Sequence, residues 1–133
     1  MFPINYPAIA VATVIAFLFS ALYYAVLSKK VVAIRKARYG NDEVANESMG
    51  PTKVIIELTR TFVVGLAMAY ALTNAMNIAQ GAVVVVWLWM AFPVVLLVGS
   101  VIHERYPVNL AFIHAIDWLV KLLIFAVVLT LWR

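Results

Sequence analysis

The stretch Val108–Trp132, VNLAFIHAIDWLVKLLIFAVVLTLW, decides the fold. Its 25 residues make roughly 37 Å of helix at a ~1.5 Å rise, more than the ~30 Å hydrocarbon core of a bilayer. It is apolar but for Asn109 and Thr130 near its ends and for His114, Asp117 and Lys121 inside it. Spacings of three and four put those three side chains on one helical face. On an insertion scale a central Asp or Lys costs about 2.5–3.5 kcal/mol. The helix therefore predicts neighbours, water or internal pairing around both charges.

The rest of the chain supplies the neighbours. Of its 133 residues 66% are hydrophobic and 12% charged, and its mean hydropathy is +1.02. A soluble domain carries roughly 25% charged residues, so this is the composition of a membrane protein. With no cysteine there is no disulfide, thiol nucleophile or cysteine-held metal. The net charge of +4 could suggest nucleic acid. Six of the ten Lys and Arg fall between Lys29 and Lys53, beside an apolar run, and that placement favours anionic lipid headgroups over nucleic acid.

Four apolar runs predict spans at about 7–27, 54–73, 82–102 and 108–132 within a single membrane domain, 1–133, with a basic loop at 28–53. In the first, Pro7 suits an opening helical turn. Ala8, Ala12, Ala16 and Ser20 form a seam of small residues that lets another helix approach closely. Tyr6 and Tyr23–Tyr24 sit near its two ends, where amphipathic rings favour the membrane interface. The run lacks a basic leader and is too long for a cleaved signal peptide, which predicts a retained helix.

Lys29, Lys30, Arg35, Lys36 and Arg38 alternate with apolar residues, so the first helix is expected to continue as a basic interfacial turn or two. These side chains read as a lipid-headgroup or partner site, or more plainly as a topology signal. Gly40–Asn41–Asp42 should break the helix, and the polar loop up to Met49–Gly50–Pro51 is the longest, a candidate for disorder.

In the second run Glu57 and Arg60 are i,i+3 neighbours able to pair or snorkel. Small residues recur at Gly65–Ala69–Thr73 and at Ala67–Ala71–Ala75. No charge occurs from Thr61 to Ile102, and the uncharged turn around Asn74–Gly81 splits that length into two helices. Pro93 interrupts the third run and frees the carbonyl of Trp89, which a kink or a neighbouring helix could accommodate.

Seven basic residues in the two charged links, against Arg133 on the other side, place both termini outside and the links in the cytoplasm. The expected fold is therefore an all-α integral membrane bundle of four transmembrane helices, with both termini on the non-cytoplasmic side.

Asp117 and Lys121 are an i,i+4 acid-then-base pair, with Lys121 roughly 20 Å along the helix, near mid-membrane. With His114 and Glu57 they read as a proton or ion relay, or as an ion pair that lowers the cost of insertion and fixes packing. His103 and His114 lie on one face but roughly 16 Å apart, so no metal or haem cofactor is expected. Gly-rich phosphate loops, HExxH, GxSxG and dinucleotide motifs are missing, and no catalytic residue is assigned.

The Tyr-rich end of helix one, WLWMAFP at 87–93 and the run from His103 to Trp132 resemble the bacterial domain-of-unknown-function family numbered 1761. The resemblance covers nearly the whole chain and is most specific at Trp87–Phe92 and from Glu104–Arg105–Tyr106–Pro107 to Trp132. It implies a four-helix integral membrane protein of a bacterial inner membrane, with no activity to carry over. In size the chain is similar to small multidrug transporters, but their signature carboxylate in helix one is missing. The expected function is an oligomeric transporter or channel with a polar path on helix four. The alternative is a non-catalytic accessory subunit packed against another membrane protein, in either case as a homo-oligomer or with a membrane partner.

Overall fold

Asn5 starts the first helix by accepting the Ala8 N–H at 3.0 Å, with Pro7 in the opening turn. From there the computed structural model describes residues 4–40 and 50–132 as helices joined by short links, with no strand among them. The polar stretch 41–49, expected to form the long loop, and Arg133, counted in the charge balance, lie outside the described residues. Helix α1 runs Tyr6–Val26, α2 Ser28–Tyr39 and α3 Pro51–Ala71. Helix α4 (Ile78–Trp89), a π-helical turn (Met90–Val94) and α5 (Val95–His103) make one rod, and α6 runs Val108–Leu131. Four of these units, with the rod counted as one, are long and apolar enough to cross a membrane.

Helix α6 is the centre. Within its most apolar window 39% of residues are buried, against 22%, 17% and 11% for α1, α3 and the rod. Helices α1 and α4 lie against α6, and α3 lies against α1. The small-residue seam of α1 is what permits the first contact: Ala8, Ala12, Ala16 and Ser20 are all buried. On α3, Gly65 faces the Phe125 ring and Ile9, so close that an added Cβ would stand 2.6 Å and 2.7 Å from them. Of the two small-residue faces expected on α3, the one containing Gly65 is packed. On the other, Ala67 and Ala71 are exposed, while Ala75, past the end of α3, is buried in the core.

Two elements differ from the sequence expectation. The basic extension α2 runs for 12 residues, about three turns rather than one or two. Its length is explained by burial of Val31 against Leu110 and Ile113, with Ile34 and Tyr106 beside them. Gly40 then ends it at a φ of 65°, a left-handed conformation that favours glycine, and its N–H donates to the Lys36 carbonyl. Pro93 sits in the π-helical turn, where the wider helix absorbs the missing donor. The α3–α4 turn is closed by Asn77, which accepts the Gln80 N–H, while the Gln80 side chain accepts the Met76 N–H.

Gly65 provides the first prediction. Gly65→Val should lower unfolding stability in detergent by about 1–3 kcal/mol through overpacking. Gly99→Ala, where nothing lies within 4 Å of the new Cβ, should not lower it. Equal losses in the two variants would show that α1, α3 and α6 do not meet as described.

Candidate functional site

The i,i+3 and i,i+4 spacing on α6 brings His114, Asp117 and Lys121 into one stripe, and α1 supplies the polar groups opposite. Ser20 Oγ donates to Asp117 Oδ1 at 2.5 Å. Lys121 Nζ takes the other oxygen, Oδ2, at 2.9 Å. Both carboxylate oxygens are thus engaged, and the ammonium also lies 5.0 Å from the centroid of the Trp118 ring. Asp117 is 2% exposed and Lys121 6%, so the pair is nearly shut off from surroundings on every side but one.

One turn before Asp117, the Tyr24 hydroxyl and His114 Nδ1 share a hydrogen bond. The Tyr23 hydroxyl donates to the Ile113 carbonyl at 3.0 Å. From the other flank of α6, the Trp89 indole N–H donates to the Ala115 carbonyl at 2.7 Å. Tyr106, in the link before α6, faces the His114 ring at 6.3 Å. Burial raises its phenol above the ordinary tyrosine value, an effect that the nearby Arg35 opposes.

The open side is a cleft of about 540 Å³. Its back is α6 with His114, Asp117, Trp118 and Lys121. Helix α1 forms one wall with Phe17, Ser20, Ala21 and Tyr24. Helix α3 forms the other with Lys53, Ile56, Glu57, Arg60 and Thr61, and α2 roofs it with Val31, Val32 and Arg35. Glu57 and Arg60 pair at 2.5 Å, with the Arg60 side chain well exposed. Beyond Lys121 the cleft ends, because Leu122, Phe125, Ala126 and Leu129 are buried in the shared core.

The structure therefore brings together His114, Asp117, Lys121, Glu57 and Arg60, all expected from the sequence, and adds Arg35 to them. The other basic residues of α2 are outside the cleft: Lys29, Lys30, Lys36 and Arg38 do not line it. Arg38 is held to the link before α6, with its Nε donating to the Arg105 carbonyl at 3.2 Å. His103 is exposed and does not line the cleft. No group of three or more His, Asp or Glu able to hold a metal occurs among the described residues.

Sequence reasoning missed Ser20, Tyr23, Tyr24 and Lys53 as parts of this site. Ser20 was legible only as the last member of a small-residue seam, although it is the one hydroxyl in that seam. The two tyrosines carry the pattern of an interface belt, and only the fold turns their hydroxyls onto α6.

Residues 7–130 match a family described as a protein of unknown function, DUF1761. The chain belongs to DUF1761. No curated protein and no solved structure matches it. The match begins inside the first turn of α1 and ends one residue before the end of α6, so this DUF1761 chain carries its whole cleft within the family region.

The geometry of the pair predicts asymmetric substitution effects. Lys121→Met should destabilise the protein by about 3–5 kcal/mol, because it leaves a buried carboxylate with a single hydroxyl partner. The double variant Asp117→Leu/Lys121→Met should recover most of that loss. Unfolding of the variants in detergent measures both, and additive losses would show that the two residues do not act as a pair.

Proposed function

We propose that this protein is a small multi-pass transporter of a bacterial inner membrane, working as an oligomer, whose solute enters the cleft from the cytoplasmic side. One observation carries the reading: the Asp117–Lys121 pair, almost fully buried, lines an open cleft together with Arg35, Glu57 and Arg60. Charges held inside an apolar helix and facing a cavity are the usual mark of a substrate or ion path.

The cleft opens at the end of the bundle that bears Lys29, Lys30, Arg35, Lys36, Arg38 and Lys53, the end that the positive-inside rule assigns to the cytoplasm. Both termini then lie outside. At the opposite end the core around Phe125 is closed, so a transport cycle needs α1 or α3 to move relative to α6. Oligomerisation is supported by exposed small residues on α3, Ala67 and Ala71, which a second chain could approach closely.

A second reading has an observation of its own. The pair is already satisfied by Ser20 and by itself, as it would be in an accessory subunit that uses the charges only to fix its packing.

The absence of cysteine allows a direct test. Ala21→Cys lies in the cleft and Ala126→Cys in the closed half. A membrane-impermeant thiol reagent should label Ala21→Cys from the cytoplasmic side only. Ala126→Cys should react slowly from the opposite side as the protein cycles, and this reaction should stop when Asp117→Asn is added. A cysteine at 126 that stays unreactive from both sides would favour the accessory subunit.

A further inference from the structure

We infer that the cleft binds the phosphate headgroup of an anionic membrane lipid, taken from the leaflet on the basic side, with its acyl chains leaving between α1 and α3. The inference names the solute class of the proposed transporter and depends on that reading for every step after binding. The binding itself rests on three features of the cleft.

The first is charge. Arg35, Arg60 and Lys121 line the cleft as cations, against two carboxylates, Glu57 and Asp117. Each carboxylate already has a cation: Arg60 holds Glu57 and Lys121 holds Asp117. Arg35 has no carboxylate partner among the described residues, and its planar guanidinium is shaped to grip phosphate oxygens in pairs. A headgroup of net negative charge completes this arrangement. A choline-bearing headgroup would add a further cation to a cleft already in surplus.

The second is the wall chemistry. Phe17, Ala21, Val31, Val32, Ile56 and Trp118 line the same cleft. A small hydrated anion gains nothing from such walls, whereas the glycerol and upper chain of a lipid bury apolar surface on them. The volume, about 540 Å³, is that of a site for a small organic group and not for a single ion.

The third is the position of the mouth. Ile56 lines the cleft and is also 50% exposed, so the cleft reaches the outer surface of the bundle there. Ala21 lines the cleft from α1 and is likewise exposed. This apolar margin is suited to hydrocarbon, and a chain can lie along it while the headgroup sits inside.

The test is lipid retention on the full chain, purified in mild detergent and mixed with equal amounts of phosphatidylglycerol and phosphatidylcholine of matched chains. Bound lipids are counted by native mass spectrometry. Phosphatidylglycerol should be retained about tenfold over phosphatidylcholine, and Arg35→Gln should remove most of that preference, as expected for loss of one charge-assisted contact. The pair Lys29→Gln/Lys30→Gln, exposed and outside the cleft, should change it less than about twofold.

Ala21→Phe, which narrows the mouth without altering charge, should lower retention too, and so covers the case in which Arg35→Gln fails to fold. Equal retention of the two lipids would overturn the inference. So would an equal loss in the Lys29/Lys30 variant, which would mean diffuse attraction to the basic end. Displacement of the lipid by millimolar glycerol phosphate would overturn it as well, in favour of a soluble anion. Selective retention with a cysteine at 126 that never reacts would count against transport alone. A reactive cysteine at 126 without lipid selectivity would count against the lipid alone.

Discussion

An ammonium and a carboxylate near the middle of an apolar helix cannot be turned toward hydrocarbon at low cost. That constraint organises the bundle. Helix α6 carries both charges, so it takes the central place, with α1 on one flank and α4 on the other. The pair then needs a polar neighbour from the helix packed over it. Ser20 supplies one, and Ser20 can reach Asp117 because every fourth residue before it, from Ala8, is small. The close approach of α1 and the satisfaction of Asp117 are two consequences of one seam.

The same helix divides the molecule into two halves of different character. Past Lys121 its inward residues are Leu122, Phe125, Ala126 and Leu129, which close on Ile9, Met68 and Val85 as a dry core. Before Lys121 the stripe facing the cleft is polar, and the aromatic groups around it are tied by hydrogen bonds. Tyr23, Tyr24 and Trp89 each place a donor or acceptor on α6. Hydrogen bonds of this kind fix direction in a way that apolar packing does not: the two tyrosines tie α6 to α1, and Trp89 ties it to α4.

Much of this was legible in the residues. The number of long helices, the turn near Asn77 and the shared face of His114, Asp117 and Lys121 follow from hydropathy, turn chemistry and helical period, all of which are local. What was not legible depends on which helix lies opposite which. A serine at the end of an alanine seam has the same local signature whether or not a carboxylate faces it. Tyr24 satisfies the pattern of an interface residue and of a buried partner for His114 equally well. Arg35 looks like its basic neighbours until α2 packs Val31 onto Leu110, which turns one cation of the cluster into the cleft and leaves the others outside. The length of α2 was underestimated for the same reason: its stability comes from tertiary burial and not from its own composition.

The cleft itself is a product of these placements. Helix α3 is seated in the core where Gly65 and Met68 meet Ile9 and Phe125. Its opening turns present Lys53, Glu57, Arg60 and Thr61 toward α6, which presents His114, Asp117 and Lys121 in return. Polar faces of this kind pack less closely than apolar ones, because each group has to keep its own partner: Glu57 with Arg60, Asp117 with Lys121 and Ser20, His114 with Tyr24. Apolar residues at those positions would have extended the core to the end of the bundle and erased the cleft. The charges that strain the membrane composition of the chain are therefore what keep one end of it open.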